Sequence, residues 1–326
     1  MNDFTVSDEA TGQVPLLIGL MGGPGAGKTF SALTLAAGMA LPGLGRPVVI
    51  DTEGGRSLRY KRDAGFDFLR IDFKPPFRPE RFAGAIKAAL ATNPCAIIVD
   101  SMSDEHEGTG GVLEWHEEEL TRMAGQDYAK RERCTQAAWI KVKAQRRAML
   151  NELQLVKTPM IFCFRAREKT KPMKDDRGKT APTNIGWQPI APAEIVHAMD
   201  ITCLLPLRSD GVPQWRSEKA TEDFVIKLPL QFRSLFVDGE ALSREHGRAL
   251  AAWARGDTPS QHPVGPSPEA VDAAVAQCEV AAGFSTLSAL ETVWRSLSRE
   301  IKAAIGAARL AEWKARVEAN AKDEAA

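Results

Sequence analysis

The stretch GLMGGPGAGKTFSALTLA, residues 19–36, constrains the fold of this chain more than any other. It continues the apolar run VPLLIGLMG (14–22), which is short, ends in glycine and reads as a buried strand. The spacing is Gly22-x-x-x-x-Gly27-Lys28-Thr29, with Gly23, Pro24, Gly25 and Ala26 between the fixed positions. Glycines in such a loop let successive backbone N–H groups point inward at an anion. The helix that follows, expected from about Lys28 to Ala40, adds its positive N-terminal end. In this pattern Lys28 neutralises the β- and γ-phosphates of a nucleotide, and the Thr29 hydroxyl ligates Mg²⁺. The candidate cofactor-binding set runs from Gly22 through Phe30, and the cofactors expected are ATP and Mg²⁺.

The rest of the chain extends a strand–helix alternation. PVVIDTEGG (47–55), DFLRIDF (67–73) and CAIIVDS (95–101) read as further strands, with a helix from Glu80 to about Ala91. SDEHEGTGG (103–111) reads as a polar loop and WHEEELTRMAG as a charged helix. Residues 131–157 form a long amphipathic helix, with Trp139, Val142, Met149, Leu150, Leu153 and Val156 on one side. Lys141, Lys143, Arg146 and Arg147 read as its solvated face. PMIFCF (159–164) is a strand, followed by a loop of roughly 25 residues, long enough to suggest a functional role. ITCLLPL (201–207), PQWRSEK (213–219) and DFVIKLPL (223–230) read as late strands. The alternation up to residue 164 predicts an α/β fold, a mostly parallel sheet with helices on both faces. The domain reading is a disordered lead-in over 1–13 and one large domain over 14–255. A Pro/Gly/Ser-rich linker over 256–267 leads to a helical appendage over 268–326, striped by Leu287, Leu290, Trp294, Leu297, Ile301 and Ile305.

Charge and cysteine content exclude several classes. Lys plus Arg and Asp plus Glu both number 42, so nucleic acid could be met only through a local basic patch. The five cysteines include no C-x-x-C pair, which argues against a zinc knuckle or disulfide framework and fits a reducing cytosol. The N-terminus lacks a signal-peptide core, and no apolar run approaches the length of a membrane span, so a cytoplasmic protein without a membrane partner is expected. His106 and His116 lie among many acids, but HEEEL lacks the second histidine of H-E-x-x-H. The metal ligands expected are therefore Thr29 and a carboxylate at a neighbouring strand tip.

Asp100, at the end of the apolar strand CAIIVD, is that carboxylate, holding a Mg²⁺-bound water opposite Thr29. Many ATPases carry a water-orienting glutamate at the next position, which here is Ser101. Glu53 takes its place in this reading. It ends the strand after the phosphate-loop helix, so a parallel sheet brings it to the same edge as Lys28 and Asp100.

GGPGAGKT, VVIDTEGG and CAIIVDS, in that order and spacing, resemble the RecA-like recombinase core, and IDTEG resembles the segment that carries its catalytic glutamate. ERCTQAAWIKVKAQRRAMLNELQL and MIFCFRAREK are similar to phage and prophage ATPases of the RecA/AAA type, some of them linked to single-strand annealing. The resemblance covers about residues 14–255 and implies a RecA-like P-loop NTPase fold. It puts Lys28 and Thr29 on the triphosphate and Mg²⁺, Asp100 on Mg²⁺, and Glu53 on water.

The chain also departs from the pattern. Recombinases commonly end the strand after the magnesium strand in a polar sensor such as Gln, whereas here Arg165, Ala166 and Arg167 follow MIFCF. Arg165 either senses a γ-phosphate, its own or a neighbouring subunit's, or simply starts an exposed loop. RAREKTKPMKDDRGK (165–179) carries seven Lys/Arg against three acids, and the resemblance puts a single-stranded-DNA loop on this side, over 165–190. Trp187 either stacks on a base or pins that loop to the core.

The implied function is a phage-type ATPase in DNA recombination, annealing or replication, acting as a homo-oligomer in the cytoplasm of a bacterial host. The alternatives are a nucleotide-dependent switch or assembly factor without direct DNA binding and, less favoured, a P-loop small-molecule kinase.

Overall fold

The structure, a computed structural model, describes residues 12–174, 180–216, 226–257, 268–283, 287–297, 301–302 and 305–323. The expected lead-in and linker fall largely outside these residues. The chain divides into two compact units, Met1–Thr258 and Pro259–Ala326.

The central strands of the first unit are apolar on both faces. In β1 (Leu17–Gly22), Ile18 and Leu20 join one core cluster, while Leu17 and Met21 join another. β2 (Val48–Asp51) splits in the same way, Val49 against Val48 and Ile50. β4 (Ile97–Asp100) sends Ile98 to the first cluster and Ile97 and Val99 to the second. Strands of this kind can lie only inside a sheet covered on both sides, which is the condition for parallel pairing.

The remaining strands are β3 (Leu69–Asp72), β5 (Met160–Lys174), β6 (Thr180–Pro189) and β7 (Ile201–Leu205). They complete a seven-stranded sheet of order β3-β2-β4-β5-β1-β7, parallel throughout, with β6 pairing antiparallel on β5 alone. The protein is thus α/β, with a mostly parallel sheet flanked by helices.

α1 (Lys28–Gly38) and α8 (Arg244–Ala254) supply Leu33, Leu35, Leu250 and Ala251 to the first cluster. α3 (Pro79–Leu90), α6 (Tyr128–Leu153) and α7 (Ala193–Ala198) supply Phe82, Ile86, Met149, Leu153 and Ile195 to the second. The local start signals are legible. α3 opens on Pro79 with Glu80 in its first turn, Asp127 caps α6 through the N–H of Lys130, and Ser243 and His246 form a capping box on α8. α1 and α8 cross at backbone contact, so that a Cβ placed on Gly38 would fall on the carbonyl oxygen of Arg244, and one on Gly247 on that of Leu35. Among the described residues, α2 (Leu58–Asp63), α4 (Ser103–Glu107) and α5 (Val112–Ala124) complete the α-helices of the unit. In the second unit α9 (Pro268–Ala282), α10 (Leu287–Ser296) and α11 (Ala307–Asp323) enclose Cys278, Leu290, Trp313 and Val317.

Four expectations need correction. The stretch 165–190, expected as a long loop, continues β5 past the parallel sheet and returns as β6. It is a β-hairpin, with Ala166 opposite Pro189 and Lys174 opposite Thr180, and residues 175–179 lie outside the described residues. Residues 103–107, expected as loop, form α4. Of the late strands expected at 213–219 and 223–230, residues 217–219 and 223–225 lie outside the described residues, and the described parts show single bridges at Gln214 and Lys227 rather than strands. Arg146 does not belong to a solvated face. It is buried and pairs bidentately with the fully buried Glu105, at 2.8 and 3.2 Å. Breaking one side of such a pair strands a charge in the core, at a typical cost of about 3–5 kcal/mol.

Candidate functional site

The parallel register brings the candidate residues to one edge. Gly22 pairs with Arg165, Asp51 with Asp100, and Asp100 with Cys163, so the C-terminal ends of β1, β2 and β4 finish side by side, level with residues 163–165 of β5, which runs on beyond them. In an open α/β sheet this is the edge where ligands bind.

The glycine loop turns directly from β1 into α1. Gly25 and Gly27 have φ of 73° and 85°, a region that side chains with a Cβ rarely adopt. Pro24 and Gly25 are exposed and Ala26 is buried. Two walls enclose the loop. The Trp187 ring lies 3.2 Å from where a Cβ on Gly23 would stand, and the Cα of Gly211 lies 3.2 Å from one on Gly27. Trp187 also packs on the second core cluster, so it pins β6 to the core. The ammonium of Lys28 donates to the carbonyls of Gly22 and Gly23 at 3.0 and 2.9 Å, which holds it at the mouth of the loop. Phe30 is 49 % exposed and meets Phe66 edge-on at 5.4 Å.

Thr29 and Asp100 come together. The Thr29 hydroxyl donates to Oδ2 of Asp100 at 2.6 Å. Burial pushes the Asp100 carboxyl up to about 6; the Thr29 hydrogen bond and the Lys28 charge oppose this, and the negative charges of Glu53 and Asp51 add to it. A buried carboxylate with a hydroxyl on one oxygen offers hard oxygen donors of the kind a divalent cation takes, but among the described residues no cluster of three or more His, Cys, Asp or Glu side chains is placed to hold one.

Glu53 stands at the same edge, half-buried, with its carboxylate on Arg56 at 3.0 Å. Its turn is braced by Asp51, which accepts the backbone N–H of Glu53 at 2.9 Å, the Ser57 hydroxyl at 2.5 Å and the Arg70 guanidinium at 2.9 Å. Burial alone would raise the Asp51 carboxyl, but the hydrogen bonds from Ser57 and Arg70 hold it below its ordinary value.

Arg165 meets Asp104 at 2.6 Å and Glu107 at 3.7 Å, both on α4. Burial raises the Asp104 carboxyl, against the Thr52 hydrogen bond and the Arg165 charge. Asp104, Thr52 and Asp51 are the residues that sequence reasoning missed. Asp51 was open to discovery, because an aspartate at a strand end two residues before Glu53 is placed to cap a turn. Asp104 carried no such signal, since its partners lie 52 and 61 residues away. His106 and His116 do not meet at a common centre: His106 lies against Arg146, and His116 stacks on Trp139 at 4.1 Å.

Beyond the sheet edge Arg167, Lys169 and Lys171 recur along β5. Burial and the neighbouring charges of Arg167 and Lys171 hold the Lys169 ammonium below its usual value, the mark of a crowded positive strip. Among the described residues no helix is long and apolar enough to cross a membrane.

Fold and site together define an α/β protein whose strand ends gather a glycine loop, a lysine, a hydroxyl and a buried carboxylate. No protein-family model matches the chain, and no curated protein matches it either.

Proposed function

We propose that this chain is a RecA-like P-loop ATPase of the phage type that works on DNA in recombination, annealing or replication. The observation that carries the reading is the 2.6 Å contact between Thr29 and Asp100, beneath a glycine loop whose lysine lies at its mouth. In this reading the loop N–H groups and Lys28 hold the triphosphate of ATP, and Thr29 and Asp100 hold Mg²⁺. The metal supplies neutralisation of phosphate charge. Glu53, fixed by the Asp51-braced turn, orients or deprotonates the attacking water. The basic strip on the β5–β6 hairpin takes the phosphates of single-stranded DNA, and its first residue, Arg165, stands beside the glycine loop. Subunits assemble as homo-oligomers in the host cytoplasm, as the resemblance implies.

The test is ATP hydrolysis with and without single-stranded DNA, for the wild type and Glu53→Gln. The expected result is a DNA-stimulated rate that falls about a hundredfold or more in the variant, with ATP binding retained. Hydrolysis indifferent to DNA at low salt would favour a nucleotide-dependent switch. Full activity in Glu53→Gln would remove Glu53 from the chemistry.

A further inference from the structure

The first residues of α4 face inward. Ser103 and Glu105 are fully buried and Asp104 is 7 % exposed. A buried carboxylate persists where its oxygens are met by donors. Both oxygens of Asp104 are met, one from the residue that follows β2 and the other from within β5. Oδ2 accepts the Thr52 hydroxyl at 2.5 Å, and Oδ1 accepts the Arg165 guanidinium at 2.6 Å. Thr52 immediately precedes Glu53, while Arg165 lies beside Gly22 in the sheet. Two further ties close the arrangement. The Ser103 hydroxyl accepts the backbone N–H of Arg165 at 2.9 Å, and the backbone N–H of Thr52 donates to the Asp100 carbonyl, also at 2.9 Å.

We propose that Asp104 is a positioning residue: it holds the Thr52–Glu53 turn and the Arg165 guanidinium at a fixed separation across the strand that ends in Asp100. The inference rests on the hydrolytic reading above. With both oxygens engaged inside the protein, Asp104 acts through its partners. Nε of Arg165 is buried and makes no hydrogen bond among the described residues, so the contact with Asp104 is what anchors the guanidinium. An amide at 104 keeps the shape but loses the charge, and Glu107, at 3.7 Å, then draws the guanidinium away. Misplacing a reacting group by about 1 Å can slow a reaction about a hundredfold. The glycine loop and Lys28 keep their own hydrogen bonds, so nucleotide affinity stays.

The experiment measures ATP turnover and the Kd of a non-hydrolysable ATP analogue on the full chain. It compares the wild type, Asp104→Asn, Arg165→Gln and the double variant, each checked by thermal melting. The proposal expects kcat to fall at least about tenfold in each single variant, with Kd within about twofold, and the double to be no slower than the slower single. An Asp104→Asn rate equal to wild type, or losses that multiply in the double, would overturn it. Should Asp104→Asn fail to fold, Thr52→Val breaks the other half of the same tie and must show the same kcat-only loss. A wild type that binds the analogue but never turns over ATP refutes the hydrolytic reading and the inference together; an active wild type with an unaffected Asp104→Asn refutes the inference alone.

Discussion

At position 106 a neutral base lies against a fixed cation. Nη2 of Arg146 reaches Nδ1 of His106 at 3.3 Å, and burial, followed by the Arg146 charge, pushes the imidazole down to about 4. The unfolded chain protonates the same ring near ~6.5. The folded pKa is the lower of the two, so this histidine's contribution to stability is whole above about 6.5 and drains away as the pH falls toward 4. Between pH 7 and 5 linkage gives a loss of about 1–2 kcal/mol, allowing for partial exposure. Asparagine can keep an acceptor facing Arg146 and does not titrate. Urea unfolding at the two pH values is therefore expected to show a smaller acid-side loss in His106→Asn than in the wild type, and equal losses would sink the assignment. The same position shows how chemistry hides in a sequence. Read in isolation, His106 sits among solvated acids; its environment comes from a helix 40 residues further on.

At the scale of elements, the α1–α8 crossing is the least forgiving contact in the first unit. A methyl group on Gly38 would collide with backbone, which cannot rotate aside as a side chain can. Gly38→Ala is expected to lower stability by about 3 kcal/mol, even though alanine is the better helix former, and a melting temperature at or above wild type would show that the helices can part. The elements legible in the sequence were those whose cause is local. β1, β2 and β4 announce themselves because both faces are apolar, and α1 because the glycine loop delivers the chain into it. The hairpin had no such signature. Beyond Arg165 the strand RAREKTKPMK is basic, carries a proline and is largely exposed, so what makes it a strand is its pairing with β6 rather than burial. α4 is five residues long, too short to display a helical period. Arg146 looked solvated because its partner Glu105 is 41 residues distant. The candidate site divides along the same line. The loop, Asp100 and Glu53 were readable from strand ends, and the turn that Asp51 caps is local, whereas the Asp104 brace emerged only when those ends were brought together.

At the scale of the whole molecule, the candidate nucleotide-site residues lie between Gly22 and Arg165 and the basic hairpin follows directly, all within the first unit, and the second unit closes a core of its own. A formal net charge of zero makes the basic hairpin a local field, so a DNA complex formed there would weaken steeply with salt while the rest of the surface stayed indifferent. One backbone hydrogen bond has a topological meaning for the first unit. The N–H of Val14 donates to the carbonyl of Ala254 at 2.7 Å, which lays the chain entering β1 against the last turn of α8. The unit is therefore close to a ring in its connectivity, and the order in which its segments are synthesised can be separated from the shape they reach. A circular permutant that starts at Gln126, in the exposed turn between α5 and α6, and joins residue 257 to residue 12 through about four Gly/Ser residues is expected to fold. Far-UV circular dichroism and ATP-analogue affinity matching those of residues 12–257 in their native order would establish this. A permutant that stays unfolded would mean that the chain must make β1 before it makes α8.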